Sequence, residues 1–263
     1  MRAARVAEPH FVPCVLQDPA GSWLSYARYD APAAGTITAL NTTWVVPSLP
    51  ATSWGSNAPG WWFGVMDKDG DGALVQPILA YGYQGNHYTI FNGVFDWTDG
   101  SWHTSEDKYT VQPGDKITSS VNYNKAANSY TMVITSAALG KSIVTTYAIQ
   151  RRQTEPESSA VFVLEHQPES CKAYPASGEM SFESIFIEVD GKPVSSPSWT
   201  ALQERPACDS KAVVVDPATI KFTWDTSTSE AVEEGTDRVD GTKSSTAPAK
   251  WGLGRPRRAS WEK

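Results

Sequence analysis

The chain has 263 residues, of which 40% are apolar, 11% aromatic and only 19% charged. That composition excludes a disordered polymer and is long enough for one large domain with a sizeable core. A net charge of −7 and a pI of about 5.1 argue against nucleic acid and anionic membranes as partners, and no apolar run is long enough to span a bilayer.

Residues 1–21 show no clear hydrophobic period, and Glu8, Pro9 and His10 interrupt any secretory h-region, so they are expected to form an N-terminal arm. Turn residues and alternating runs begin near Ser22. In TITALNTTWVVP, residues Thr38, Leu40, Thr42 and Trp44 fall on one face of a strand. Asn41-Thr42-Thr43 within it is a glycosylation sequon, informative only for a secreted chain. After a loop over 48–60 comes WFGVMDKDGDGALVQPILAYG (62–82), where Gln76 interrupts an apolar strand. A buried amide needs hydrogen-bond partners, so Gln76 is either structurally satisfied or functional. NHYTIFNGVFDWTDGSWH is expected to form two short aromatic strands, broken at Asn92-Gly93 and at Asp99-Gly100.

Three strands linked by short turns follow, a meander with Ile117, Ser119, Val121 and Tyr123, then Tyr130, Met132 and Ile134, then Ile143, Thr145, Tyr147 and Ile149 on single faces. SAVFVLEH is apolar on both faces except at Glu165, as expected of a central strand covered on both sides. FESIFIEVDGK and TIKFTW close the pattern, the latter with Ile220, Phe222 and Trp224 inward. No amphipathic helical stripe runs for three turns, and strands recur every 8–12 residues. The expected fold is therefore an all-β, antiparallel two-sheet jelly-roll sandwich over residues 22–225, followed by a polar tail over 226–263. Of the three cysteines, Cys171 and Cys208 flank the late strands and could pair, leaving Cys14 over.

Several chemistries are poorly supported. Residues 67–72 (DKDGDG) copy half of a calcium loop, but Ile78 stands where the bidentate Glu is required, and a charged hairpin turn is the better reading. His87, His103 and His166 lack metal-site spacing. There is no Gly-x-Ser-x-Gly elbow and no phosphate-cradling loop, so neither metal nor cofactor is expected.

The constellation resembles the fungal glutamic peptidases, or eqolisins, and related sequences of that concanavalin-like superfamily. Trp62-Phe63-Gly64 matches the family's Trp-Val-Gly, an Asp/Gly turn follows, and Gln76 lies fourteen residues after Trp62, the family's spacing for its catalytic Gln. YTVQPGDKITSSVNYN matches a family strand, and SAVFVLEH matches Ala-Glu-Phe-Ile-Ile-Glu, whose last Glu is catalytic and maps to Glu165. The likeness spans about residues 36–224. A second alignment, placing ILAYG on the family's Ile-Leu-Gln-Thr-Gly, puts Ala80 at the glutamine position, and Asp96 replaces a family Glu.

The resemblance implies a secreted, monomeric acid endopeptidase acting on polypeptides. Its dyad would be Gln76 and Glu165 on one concave face, with Trp62, Asp96 and Trp97 binding substrate. The carboxylate would take a proton from water and return it to the leaving nitrogen, while the amide held the water and bonded the oxyanion. Such a cycle favours acid conditions, near the ordinary carboxyl pKa of roughly 4.3. The competing class is a non-enzymatic lectin-like binder, stacking a sugar or peptide on Trp97, Trp102 and Tyr83.

Overall fold

A computed structural model of the chain describes residues 23–51, 59–67, 72–83, 85–97, 100–149, 157–165, 170–205 and 207–228. The expected N-terminal arm, Cys14, His166, most of the 67–72 turn and the tail beyond Thr228 lie outside them. Among the described residues there are sixteen strands and three single-turn 3₁₀ segments. The first six strands are β1 (Trp23–Asp30), β2 (Ile37–Val45), β3 (Gly60–Met66), β4 (Ala73–Gly82), β5 (Gly85–Asp96) and β6 (Ser101–Thr104). Then come β7 (Tyr109–Val111), β8 (Lys116–Asn124), β9 (Ser129–Ser136), β10 (Lys141–Ala148) and β11 (Ser159–Glu165). The last five are β12 (Glu179–Val189), β13 (Lys192–Pro193), β14 (Thr200–Gln203), β15 (Lys211–Asp216) and β16 (Thr219–Thr223).

They form two antiparallel eight-stranded sheets. The first runs β14-β1-β11-β3-β4-β5-β6, with β7 also on β5; the second runs β10-β9-β8-β2-β12-β16-β15, with β13 on β12. This is the sandwich the alternating pattern predicts, and β8, β9 and β10 are the expected meander, paired in continuous register. Between the sheets, alternate residues interdigitate: Trp44 of the second sheet packs edge-on against Phe63 of the first at 5.6 Å between ring centroids, and against Phe182 at 5.0 Å. Two buried tyrosines donate to backbone carbonyls, Tyr88 to Ser48 at 2.9 Å and Tyr130 to Ile37 at 3.1 Å. Burial pushes both phenols well above their usual range, so they remain donors.

Strand β5 departs from expectation. It runs unbroken through Asn92-Gly93 because the asparagine's donors find partners inside the sandwich: its Nδ2 donates to Thr145 Oγ1 at 3.1 Å and its backbone N–H to Ser105 Oγ at 3.1 Å. Tertiary partners override the local turn preference of Asn-Gly.

Strand β11 sits between β1 and β3 and is buried along all its length save Glu165. Past its end, Cys171 and Cys208 form a disulfide with Cα atoms 5.4 Å apart. The bond closes a loop spanning 37 positions, a constraint worth about 3–4 kcal/mol through the unfolded state. Replacing both cysteines by alanine is expected to cost about that much, read from urea midpoints. A loss under about 1 kcal/mol would show that the bridge adds little constraint.

Candidate active site

The first sheet carries two apolar faces. Trp61, Phe63, Val65, Val75 and Leu79 point to the second sheet and join the main core. On the opposite, outer face lies a second cluster that includes Trp23, Tyr26, Trp62, Met66, Ile78, Ala80, Phe91 and Val163, with Tyr83, Trp97 and Trp102 packed at its margin. Both Gln76 and Glu165 follow the parity of this outer face, as Ile78 and Val163 do.

Glu165 ends β11, paired with Trp23 of β1 on one side and Gly60 of β3 on the other. Its Oε2 accepts a hydrogen bond of 2.7 Å from Trp62 Nε1, and the Trp62 indole is fixed edge-on by Trp23 at 5.2 Å. The carboxylate is only half-buried, at the strand mouth, and the indole N–H fixes its Oε2. A charge-assisted bond of this kind is roughly twice as strong as a neutral one.

Gln76 stands elsewhere on the face. In the β3–β4 register, Trp62 pairs with Ile78 and Gly60 with Ala80. The row crossing the sheet at Glu165 is therefore Glu165, Gly60, Ala80 and, in β5, Thr89. Gln76 pairs with Gly93, four residues away from that row along β4. At strand geometry this is about 13 Å along the sheet, added to two inter-strand spacings of about 4.8 Å, too far for one water to touch both side chains. The expected Gln76–Glu165 pair is thus not brought together. Chain spacing from Trp62 matched the family, but hairpin register decides what lies opposite what, and it puts Ala80 there.

The surroundings of Gln76 are those of a packed core group. It is 3% exposed and its Oε1 has no hydrogen-bond partner among the described residues. A Cβ on its neighbour Gly93 would lie 2.3 Å from Trp102, whose indole occupies that space; a Cβ on Gly64 would lie 2.4 Å from the Val75 carbonyl. Asp96 needs correction too. It points between the sheets, where Tyr147 of β10 donates to its Oδ2 at 2.8 Å, and so it does not line the face of Trp62. Even and odd positions of a strand face opposite ways, and Asp96 shares parity with the inward Asn92 and Val94. Trp97 lies against the outer cluster, edge-on to Phe95 at 5.4 Å. No group of three or more His, Cys, Asp or Glu suited to a metal occurs among the described residues.

Comparison with protein-family models matches residues 24–211 to the Peptidase A4 family. The chain belongs to that family. Solved structures agree on the fold. Scytalido-glutamic peptidase, determined with a transition-state analogue inhibitor, is 18% identical, with a TM-score of 0.56 over 78% of this chain and 98% of that one. SCP-B, an eqolisin-family peptidase determined with the tripeptide Ala-Ile-His, is 16% identical, with a TM-score of 0.54 over 77% and 98%. A search of curated proteins gave no match. At family level this Peptidase A4 member is a hydrolase of the peptidase class, which implies a polypeptide substrate. Thr89, in the row of Glu165, went unnoticed in the sequence; its Oγ1 is buried with no partner among the described residues, and only the register reveals its place.

Two substitutions test the packing. Gln76→Met, near-isosteric and apolar, removes a buried unpaired oxygen and is expected to raise stability by about 1 kcal/mol in denaturant titration, where a clear loss would reveal an essential partner for the amide. Gly93→Ala drives a methyl into Trp102 and is expected to cost about 1–3 kcal/mol.

Proposed function

We propose that this Peptidase A4 member is a slow acid peptidase in which Glu165 alone moves the proton and the amide of the family dyad is missing. The observation that carries the reading is the 2.7 Å bond from Trp62 Nε1 to Glu165 Oε2, which orients a half-buried carboxylate on the outer face. Oriented by Trp62 at the strand mouth, Glu165 acts on a water there. It takes the water's proton as the water adds to the peptide carbonyl, then delivers that proton to the leaving nitrogen. Ala80 stands across Gly60 from this carboxylate, and its methyl side chain offers no N–H to the developing oxyanion. Loss of one oxyanion donor lowers turnover by roughly 10²–10³, so polypeptide binding on the aromatic face is the more prominent property. An extended substrate segment would lie across the partly exposed Tyr83 and Trp97 at the margin of the Trp62 cluster. The Cys171–Cys208 bond fits an oxidising, extracellular setting.

The alternative of a pure peptide binder is favoured by the same Ala80, and one experiment separates the two. Acid-denatured protein substrate is incubated with the wild type, Glu165→Gln and Ala80→Gln between about pH 2 and 5, around the carboxyl range. Slow cleavage by the wild type, none by Glu165→Gln, and a gain of roughly 10²–10³ in Ala80→Gln is the expected pattern. If folded wild type and Ala80→Gln both leave the substrate intact, the hydrolytic reading is wrong and the chain only binds.

A further inference from the structure

The outer face of the second sheet has a different chemistry from that of the first. Its residues are largely hydroxylic, and Thr131–Thr146 and Thr135–Ser142 form cross-strand hydroxyl pairs at 3.1 and 2.8 Å. A cavity of about 270 Å³ opens there, lined chiefly by Asn41, Thr43, Thr118, Ser120 and Ser184, with no charged residue in its wall. It is just smaller than the roughly 300–1,000 Å³ typical of drug-sized sites, the scale of a single ring.

The opening is built by an irregularity in β12. Between Glu183, paired with Thr43, and Phe186, paired with Asn41, the register shifts so that two residues oppose Thr42 alone. Ser184 in this bulge has φ +52°, a conformation unfavourable for a residue with a Cβ. Such strain persists where the surroundings impose it and concentrates at binding sites. The bulge returns Phe186 to the outer face directly opposite Asn41, where it is 40% exposed. Asn41 Oδ1, at the cavity, is buried without a hydrogen-bond partner among the described residues. An exposed aromatic ring opposite Asn41, convergent hydroxyls, an unsatisfied amide oxygen and one carboxylate, Glu183 opposite Thr43, make a surface for a neutral polyhydroxylated ring.

We propose that this cavity is a saccharide site, seating one neutral pyranose ring against Phe186, with Asn41 and the Thr43, Thr118 and Ser120 hydroxyls as its polar partners. The site lies on the other sheet from Glu165 and is independent of the hydrolytic reading. Two sources supply the same chemistry. The ring belongs either to a separate neutral glycan or to the first sugar of a glycan on Asn41, whose sequon Asn41-Thr42-Thr43 shares its first and third residues with the cavity wall. In the second case Asn41 Nδ2 attacks C1 of a lipid-linked oligosaccharyl diphosphate: the N–C1 bond forms, the C1–O bond breaks with the lipid diphosphate as leaving group, and Nδ2 releases one proton.

Two arms distinguish the sources. Unglycosylated chain is titrated with millimolar N,N′-diacetylchitobiose and cellotetraose while backbone amide resonances are followed. Shifts confined to Asn41, Thr43, Ser120, Ser184 and Phe186, weakened roughly tenfold in Phe186→Ala and in Thr118→Val but unchanged in Glu165→Gln, establish a site for a separate glycan. Chain secreted by a eukaryotic host is weighed before and after enzymatic removal of N-glycans. Added mass at Asn41, together with a thermal midpoint that Phe186→Ala lowers more with the glycan than without it, establishes the attached source. No site-confined shift in the first arm, combined with either no glycan or a glycan indifferent to Phe186 in the second, overturns the proposal.

Discussion

The central strands of the first sheet must bury both of their faces, and the remaining architecture follows from that demand. β3 and β4 are buried at every position, and β11 at all but its last. One face is covered by the second sheet; the other forms a separate aromatic cluster around Trp62. A polar group placed on such strands survives in one of three ways: at a strand end with a partner, in contact with the opposite sheet, or unsatisfied at a cost of about 1–3 kcal/mol. Glu165 takes the first course, Asn92 and Asp96 the second, and Gln76 the third.

Much of this is legible in the sequence alone. Period-2 alternation gave the sandwich, the meander and the inward Ile220, Phe222 and Trp224, because alternation follows directly from strand geometry. Trp62 and Glu165 were legible as a pair of motifs, and they do meet. The place of Gln76 was not, because a count along the chain becomes a position on a sheet only through the length of the intervening hairpin. In the observed register, a residue facing Glu165 across Gly60 must lie eighteen residues after Trp62, not fourteen. Asp96 misled for a related reason: its neighbour Trp97 does reach the outer cluster, but one step along a strand reverses the face. The early strand β1 offered only a faint signal, since its tyrosines and small residues alternate poorly around a bulge near Trp23.

The two outer surfaces divide the molecule chemically. Rings dominate the first sheet's, where Gly64 and Gly93 are kept bare so that a neighbouring strand and the Trp102 indole can approach. On the second sheet, threonine and serine suit strands that face water on one side: β-branching favours the extended backbone and the hydroxyl favours solvent. A single bulge in β12 turns that otherwise even surface into a cavity.

The pairing of β1 has a consequence for how the chain comes into being. β1 is hydrogen-bonded only to β11 and β14, whose first residues are Ser159 and Thr200. On a ribosome adding about 5–20 residues per second, Tyr26 and its neighbours emerge on the order of ten seconds before Val163, the residue they must lie beside. Throughout that interval a strand carrying Trp23, Leu24, Tyr26 and Tyr29 has two open edges and nothing to close them. Those four side chains therefore stay without their sheet partners until β11 has been made, the interval in which a nascent chain is most open to aggregation.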